Sequence, residues 1–274
     1  MAMTSTHPHS PPPVRLTLDT PGLAETYDRL GFRQFTHGKR LIADLKVLPG
    51  HHVLDIGCGT GLLGEYVAKQ QVGPWGLVVG IDPLRDRVEV ARRHLAPNFQ
   101  VHVGRAEDLS AFPDERFDIV YLNSVLHWIP DQALALREAV RVLKPAGRLG
   151  ICTTAKERQN DLERILAAVF GAESPLAKPV MHKLDSAGLD RLLGQAGLES
   201  TRLRIRTFAD RFASVDEVMA FQIASSFGNA YAELAPDDRG RVRMALDRGL
   251  DGYRLPDGTI QLRHNSIFAV ARKG

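Results

Sequence analysis

Two acids and a run of closely spaced glycines mark the part of this sequence that could bind a ligand. Asp55 precedes Gly57, Gly59 and Gly61, which occupy every second position, and Asp82 follows further along the chain. Glycine at such a turn allows backbone angles closed to other residues and lets a ligand approach the main chain closely. The free N–H groups at the start of a following helix would face that ligand. The pattern predicts a site for a nucleotide-type cofactor.

Alternating strands and helices must position these residues. Apolar segments at 51–56, 77–82, 99–103, 117–123 and 148–154 predict buried strands, and helices are predicted at 62–68, from Pro83 to about Leu95, and at 132–143. This alternation indicates a parallel sheet with helices on both faces. Such sheets bind ligands beyond the carboxyl ends of the strands, where the strand order reverses. The acids and polar residues follow the strands at those ends.

The flanking segments depart from this alternation. Residues 1–20, which include three consecutive prolines, predict a disordered leader. One domain is predicted over 21–274, with lid helices in 21–48 (near 22–30 and 33–48) and a cofactor-binding core in 49–154. Residues 155–251 are predicted as a mainly helical cap with helices near 157–170 and 185–194, one core strand at 199–208, and a capping box at 214–217 that opens a further helical stretch. A last strand is predicted at 266–271.

Composition argues against several functional classes. The formal net charge of the 274 residues is +3, a mild excess that makes no case for a nucleic-acid partner. No apolar run approaches the roughly 20 residues that span a bilayer. Cys58 and Cys152 form no CxxC pair, so neither a disulfide framework nor a zinc site is expected. The first residues lack the basic and apolar regions of a signal peptide, and a cytoplasmic location is therefore predicted.

The glycine loop leaves two cofactors to be distinguished. Gly59, Gly61 and Gly64 fit the dinucleotide fingerprint G-x-G-x-x-G, and Asp82 follows 18 residues later, as in a dehydrogenase. Asp55 argues against this interpretation, because its carboxylate would repel a pyrophosphate at short range. A cofactor with a cationic amino group would instead be attracted to it.

Several ordered motifs resemble those of the class I S-adenosylmethionine-dependent methyltransferases. They are Asp55-Ile56-Gly57-Cys58-Gly59-Thr60-Gly61, the acid Asp82, Ala106-Glu107-Asp108, Phe117-Asp118-Ile119-Val120 and residues 141–149. The resemblance covers roughly residues 41–154. It implies a Rossmann-like, doubly wound α/β fold with a mostly parallel seven-stranded sheet, an antiparallel last strand and a helical cap.

The resemblance also implies roles for particular residues. Asp82 would accept hydrogen bonds from both ribose hydroxyls, Ala106 and Glu107 would contact the adenine edge, and the backbone carbonyl of Asn123 would support the methionine amino group. Leu84 and Leu126 would form apolar walls. The predicted cofactor-binding residues are Asp55, Gly57, Cys58, Gly59, Gly61, Asp82, Pro83, Leu84, Ala106, Glu107, Asn123 and Ser124.

The implied reaction is methyl transfer from S-adenosyl-L-methionine to an O, N or C atom of a small organic molecule, which releases S-adenosyl-L-homocysteine. The protein must align the reactants in line and exclude water. A general base is needed only for an acceptor that still holds its proton. His127, just after the fourth strand, is the candidate base, with a hydrogen-bonding role as the alternative. No metal is expected, since no histidines or carboxylates have ligand spacing.

The acceptor pocket is predicted between the end of the fourth strand and the cap, with the helix that carries Tyr27 as a lid. Tyr27 and His37 are also predicted to close over the cofactor, with helix packing as the alternative. Core packing is the alternative for each aromatic residue. Residues 126–131 resemble those of small-acid, polyketide- and quinone-type methyltransferases, including the trans-aconitate type. The predicted pocket residues are Tyr27, His127, Trp128, Phe221, Phe227 and Tyr231.

Two alternative functions remain open. An RNA or protein methyltransferase is one, although the fourth strand lacks an Asn-Pro-Pro-Tyr-like step and Arg202, Arg204 and Arg206 form only a short basic row. The other is a catalytically silent module that binds S-adenosylmethionine, against which the intact glycines and acids argue. The sequence does not identify the methyl acceptor or the oligomeric state.

Overall fold

Seven strands form one sheet in the computed structural model, which describes residues 14–94, 96–172, 174, 176, 181–232 and 234–274. Their order across the sheet is β3-β2-β1-β4-β5-β7-β6. The strands are β1 His52–Ile56, β2 Leu77–Asp82, β3 Phe99–Val103, β4 Phe117–Asn123, β5 Leu143–Thr154, β6 Leu198–Phe212 and β7 Ile260–Lys273.

The sheet is mostly parallel. Strands β1 to β5 pair in parallel, and β7 runs antiparallel to both β5 and β6. The strand order reverses at β1, which lies between β2 and β4, so a crevice opens beyond the carboxyl ends of these strands. The predicted fold class, including the antiparallel last strand, is confirmed.

Helices cover the sheet and rise beyond its carboxyl edge. Several begin at side-chain caps: Thr20 accepts a hydrogen bond from the N–H of Leu23, and Ser214 accepts one from the N–H of Glu217, as the predicted capping box requires. The helices of the described residues are α1 Pro21–Leu30, α2 Phe32–Leu45, α3 Leu62–Val67, α4 Arg85–Ala91, α5 Gln132–Val142, α6 Asp161–Phe170, α7 Ser186–Gln195, α8 Val215–Ser225 and α9 Pro236–Gly249.

Two apolar layers sandwich the sheet. Along β1, Leu54 and Ile56 belong to the layer that includes α5 and α7, whereas Val53 belongs to the layer of α2, α3 and α4. This alternation follows from the two-residue period of a strand buried on both faces. A third apolar cluster joins α6, α8 and α9 to the last residue of β6 and the first residues of β7, and it forms the core of the cap.

The cap is smaller than the sequence suggested. Leu189 and Leu193 of α7 are fully buried against the sheet, so this helix belongs to the core and not to the cap. Strand β6 is the edge strand of the sheet and corresponds to the one core strand predicted in this region. The predicted helical stretch after Ser214 is also interrupted between α8 and α9. Phe227 and Tyr231 adopt positive φ angles of 56° and 62° there, which no helix accommodates.

Some element boundaries differ from the predicted ones. Of the predicted leader, residues 1–13 lie outside the described residues. Within the described part, Leu16–Leu18 forms a 3-10 turn. Helix α6 begins at Asp161 instead of 157, because Asn160 accepts a hydrogen bond from the backbone N–H of Asn265 and holds the preceding chain against β7. Strands β6 and β7 are both longer than predicted, because they pair along their whole length, from Leu198 with Lys273 to Phe212 with Ile260.

Further boundary differences concern helices and β5. Helix α4 ends at Ala91 and is followed by a 3-10 turn, Arg92–His94. The predicted end of this helix, Leu95, lies outside the described residues. Strand β5 begins at Leu143, five residues before its predicted start, with an irregular register opposite β4. None of the described helices is long and apolar enough to cross a membrane.

Candidate functional site

The glycine loop between β1 and α3 forms one wall of a cavity at the carboxyl edge of the sheet. The N–H groups of Gly57 and Cys58 both bond to the carbonyl of Ile81 at the end of β2. Gly57 has a φ of 73°, and a Cβ there would lie 2.3 Å from a methyl carbon of Val125. Only glycine fits, because the main chain passes directly against the loop after β4.

Asp82 is held by two backbone donors at the end of β2. Its Oδ2 accepts the N–H of Gly59 and its Oδ1 accepts the N–H of Leu84, each at 2.9 Å. Burial raises the pKa of Asp82, while nearby Arg87 and the two N–H groups counteract that rise. The carboxylate therefore faces the cavity in a fixed orientation, with lone pairs left for two further donors.

Two buried amide oxygens without partners lie beside the loop. Asn123 donates its Nδ2 to the carbonyl of Gln34 at 3.1 Å, whereas its Oδ1 and the Oε1 of Gln34 receive no hydrogen bond from the described residues. Both side chains line the cavity. Since unsatisfied buried acceptors cost free energy, they suit a ligand that brings N–H donors, such as an ammonium group.

Asp55 lies behind the loop and not in the cavity wall. Its Oδ2 accepts a hydrogen bond from the Tyr121 hydroxyl at 2.7 Å. Burial, together with the neighbouring Asp82, raises the pKa of Asp55 to about 7, against the lowering effect of the Tyr121 bond. Cys58 and Gly61 are also absent from the lining, so three of the predicted cofactor residues support the loop without facing the cavity.

The remaining predicted cofactor residues do line the cavity. Ala106 and Glu107 lie in the turn after β3, where Arg105 pairs with Glu107 at 3.3 Å. Pro83, Leu84 and Ser124 complete this half of the wall. The predicted wall residue Leu126 instead has no exposed surface and packs in the sheet core.

His127 is buried on the 3-10 turn after β4 and lines the cavity. Its Nδ1 lies 3.0 Å from Thr153 Oγ1 and accepts the backbone N–H of Thr154 at 3.4 Å. Burial, with smaller effects of His264 and Lys183, lowers the pKa of His127 to about 3. The ring is therefore neutral, and its proton sits on Nε2, because Nδ1 accepts the backbone hydrogen bond.

The lid closes directly on the loop. The ring of Tyr27 on α1 would lie 3.2 Å from a Cβ at Gly59. The Arg87 guanidinium lies 4.2 Å from the centroid of the Tyr27 ring and 4.8 Å from that of Phe227. It also pairs with Asp19 and bonds to the carbonyl of Ala224. Arg87 thus joins the lid, the cap and the cofactor half of the cavity.

All of the predicted pocket residues line this same cavity, whose volume is about 320 Å³. Trp128 meets Phe227 edge to face, with ring centroids 4.8 Å apart, and the Tyr231 hydroxyl donates to Gln222. Phe221 instead packs partly into the cap core against Phe212. The cofactor half and the aromatic half are therefore continuous.

Sequence reasoning missed several cavity residues. They belong to no sequence motif, and the fold brings them together in the cavity wall: Gln34, Arg87, Asp210 and His264. His37, proposed from sequence only as a lid residue, pairs with Asp210 at 3.1 Å. Among the described residues, no group of three or more histidines, cysteines and carboxylates is arranged to hold a metal.

Comparison with known proteins agrees with this geometry. A family model described as a methyltransferase domain matches residues 54–151. A demethylmenaquinone methyltransferase of Lactobacillus johnsonii is 38% identical over 123 residues, which are 43% of this chain and 50% of that protein. A ubiquinone biosynthesis O-methyltransferase of Azorhizobium caulinodans is 34% identical over 191 residues, 64% of this chain and 70% of that protein.

The chain spans about half the length of several curated relatives that it matches. Among solved structures, one from Bacillus halodurans, described as a candidate methyltransferase, superposes with a TM-score of 0.59 at 22% identity. The match covers 86% of this chain and 97% of that one. At this identity the superposition supports the fold alone.

Proposed function

Because this chain belongs to the class I S-adenosylmethionine-dependent methyltransferases, we propose that it transfers a methyl group from S-adenosylmethionine to a small organic acceptor. One observation carries the proposal. A single cavity joins the glycine loop and Asp82 to an aromatic second half beneath the lid and the cap. Methyl transfer needs two ligands held in line with water kept away, and one continuous cavity of two parts provides room for both ligands side by side.

The cofactor half of the cavity fits S-adenosylmethionine. Asp82 would accept both ribose hydroxyls, since its two oxygens are already oriented by backbone donors. The unpartnered oxygens of Asn123 and Gln34 would accept the methionine ammonium group. Ala106 and Glu107 would border the adenine. When bound, this cofactor supplies a methyl group already activated on a sulfonium.

The aromatic half of the cavity, which we call the acceptor half, suits a small aromatic methyl acceptor. Trp128 and Phe227 offer a ring edge and a ring face, with Tyr231 and the partly exposed Phe221 beside them. The names of the relatives also refer to quinone compounds, demethylmenaquinone and ubiquinone. A quinol or related phenol is therefore the acceptor class that we propose.

Calorimetry tests the cofactor and a radiolabel assay tests the reaction. We expect S-adenosylhomocysteine to bind with a micromolar dissociation constant and NAD not to bind, because the cavity supplies acceptors for an ammonium group. Tritiated methyl from S-adenosylmethionine should appear in at least one member of a panel of hydroxylated quinols. Binding of NAD without S-adenosylhomocysteine would overturn the proposal, and binding without transfer to any panel member would contradict the acceptor class.

A further inference from the structure

A second group of ionisable side chains lines the same cavity. His37 on α2, Asp210 on β6 and His264 on β7 all line it, as does His127 after β4. The His37 and His264 rings are stacked with centroids 5.8 Å apart. These residues come from four elements, and all but His127 lie outside the segment matched by the methyltransferase family model.

The partners of His37 fix both its orientation and its tautomer. Its Nε2 lies 3.1 Å from Asp210 Oδ1, and its ring stacks on Phe208 with centroids 3.8 Å apart. Since a carboxylate accepts hydrogen bonds, Nε2 carries the proton, which leaves the lone pair of the neutral ring on Nδ1. Within the described part of the chain, no hydrogen bond is made to that Nδ1. His37 is thus an imidazole held by a carboxylate, with one nitrogen able to take a proton.

His127 has the opposite arrangement. Its Nδ1 accepts the backbone N–H of Thr154, so the nitrogen left for a ligand is the protonated Nε2. Among the described residues, no carboxylate bonds to the His127 ring to stabilise a positive charge, and burial disfavours that charge. His127 can donate a hydrogen bond to an acceptor oxygen, but it is a poor base. The geometry of His127 therefore favours the hydrogen-bonding role, the alternative that the sequence left open, over that of a base.

His37 also lies close to where the reaction must occur. The next residue, Gly38, packs so closely against the end of β4 that a Cβ would lie 2.8 Å from Asn123 Nδ2. One turn earlier, the Gln34 carbonyl bonds to the same amide. Asn123 lines the cavity together with Gln34 and His37, so the turn of α2 that carries His37 packs against the end of β4 at this cavity.

We propose that the His37–Asp210 pair takes the proton from a hydroxyl group of the acceptor, an inference that rests on the proposed methyl transfer. The hydroxyl proton moves to Nδ1 of His37, and Asp210 balances the charge of the imidazolium. The acceptor oxygen forms its new bond to the methyl carbon as the bond from that carbon to sulfur breaks, and the electron pair remains on sulfur. The acceptor is then a phenol or an enol, because a carboxylate would need no base.

The ionisation of a bound phenol tests this assignment without turnover. 4-Nitrocatechol changes its visible absorption on ionisation and serves as the probe, titrated with pH in the complex with S-adenosylhomocysteine. In the wild type we expect it to be bound in its ionised form, because an adjacent imidazolium lowers the pKa of a phenol by about 1–3 units. In His37→Gln the ionisation should move up by about that amount, and in Asp210→Asn by a smaller one.

A second histidine–aspartate pair offers a matched control. His94 Nε2 lies 3.2 Å from Asp28 Oδ2, outside the cavity, so His94→Gln should leave the spectrum of the bound probe unchanged. Melting temperature and S-adenosylhomocysteine affinity, measured for every variant, identify loss of folding. A probe that fails to bind to the wild type, or that ionises equally in wild type and His37→Gln, would overturn the assignment. If S-adenosylhomocysteine does not bind, the proposed function fails, and titration of the probe with the ligand-free protein still decides the role of His37.

Discussion

Arg87 Nη2 lies 3.3 Å from Asp19 Oδ1, and the side chains of both residues are almost fully buried. The pair connects the turn before α1 to α4, the helix that follows Asp82 at the end of β2. Tyr27 and Phe227 flank the same guanidinium. One ion pair therefore connects the lid and the cap to the helix that borders the cofactor half.

Replacing Arg87 with methionine should destabilise the protein and weaken S-adenosylhomocysteine binding together. Removing one partner of a buried pair costs about 3–5 kcal/mol, because the remaining charge stays buried without compensation. The double variant with Asp19→Asn should recover part of the loss. Urea unfolding and calorimetry measure the two effects. The control is Arg92→Met, which breaks an exposed pair with Glu89 and should change the free energy of unfolding by less than about 1 kcal/mol. If Arg87→Met and Arg92→Met lose equal amounts of stability, the buried Arg87–Asp19 pair does not connect the lid to the cofactor half.

Asp82→Ala should reduce S-adenosylhomocysteine affinity without changing the fold of the sheet. Hydrogen bonds to charged groups contribute about 1.5–3 kcal/mol, so the dissociation constant should rise by roughly 10- to 150-fold. The loop would also lose the acceptor for the Gly59 N–H. Asp86→Ala, in the first turn of the following helix α4 and outside the cavity, is the control. An unchanged dissociation constant for the Asp82 variant would remove this residue from the ribose site.

These two predictions differ in how far the sequence alone supports them. Asp82, Gly57 and Ala106 lie in a segment where each role follows from a local pattern of strand end, turn and helix start. Arg87 and Asp19 are 68 residues apart, and His37 and Asp210 are 173 apart, so no periodicity relates them. Burial of charged side chains depends on tertiary packing, which residue spacing does not encode. For the same reason the sequence placed Asp55 in the cofactor site, whereas Tyr121 of the neighbouring strand holds it behind the loop.

Asp55 should make stability depend on pH. Its pKa of about 7 in the folded protein lies above the value of about 3.9 in an unfolded chain, so the folded state binds an extra proton between these values. Stability from this group is present at low pH and is lost as the pH rises through 7, by roughly 4 kcal/mol at most. Relative to the wild type, Asp55→Asn should therefore gain stability as the pH rises.

Urea unfolding of wild type and Asp55→Asn at intervals from pH 4.5 to 8.5 measures this difference. The comparison is needed because buried His127 and His264, whose pKa values are lowered to about 3 and 4, make the opposite contribution below pH 6.5 in both proteins. Tyr121→Phe removes the bond that lowers the Asp55 pKa, so the stability of this variant should continue to fall to a higher pH than that of the wild type. Parallel curves for wild type and Asp55→Asn would contradict the protonation of Asp55 in the folded protein.

Phe221→Ala and Phe227→Ala should have different effects. Phe221 packs against Phe212 in the cap core, so its loss should lower stability by about 3 kcal/mol. Phe227 lies between Trp128 and Arg87 at the centre of the cavity, and its loss should weaken binding of the 4-nitrocatechol probe about tenfold, because an aromatic contact and its buried area are removed. Probe titrations are corrected for the folded fraction of each variant. If Phe221→Ala weakens probe binding as much as Phe227→Ala does, the acceptor must extend further under α8 than the Trp128–Phe227 contact indicates.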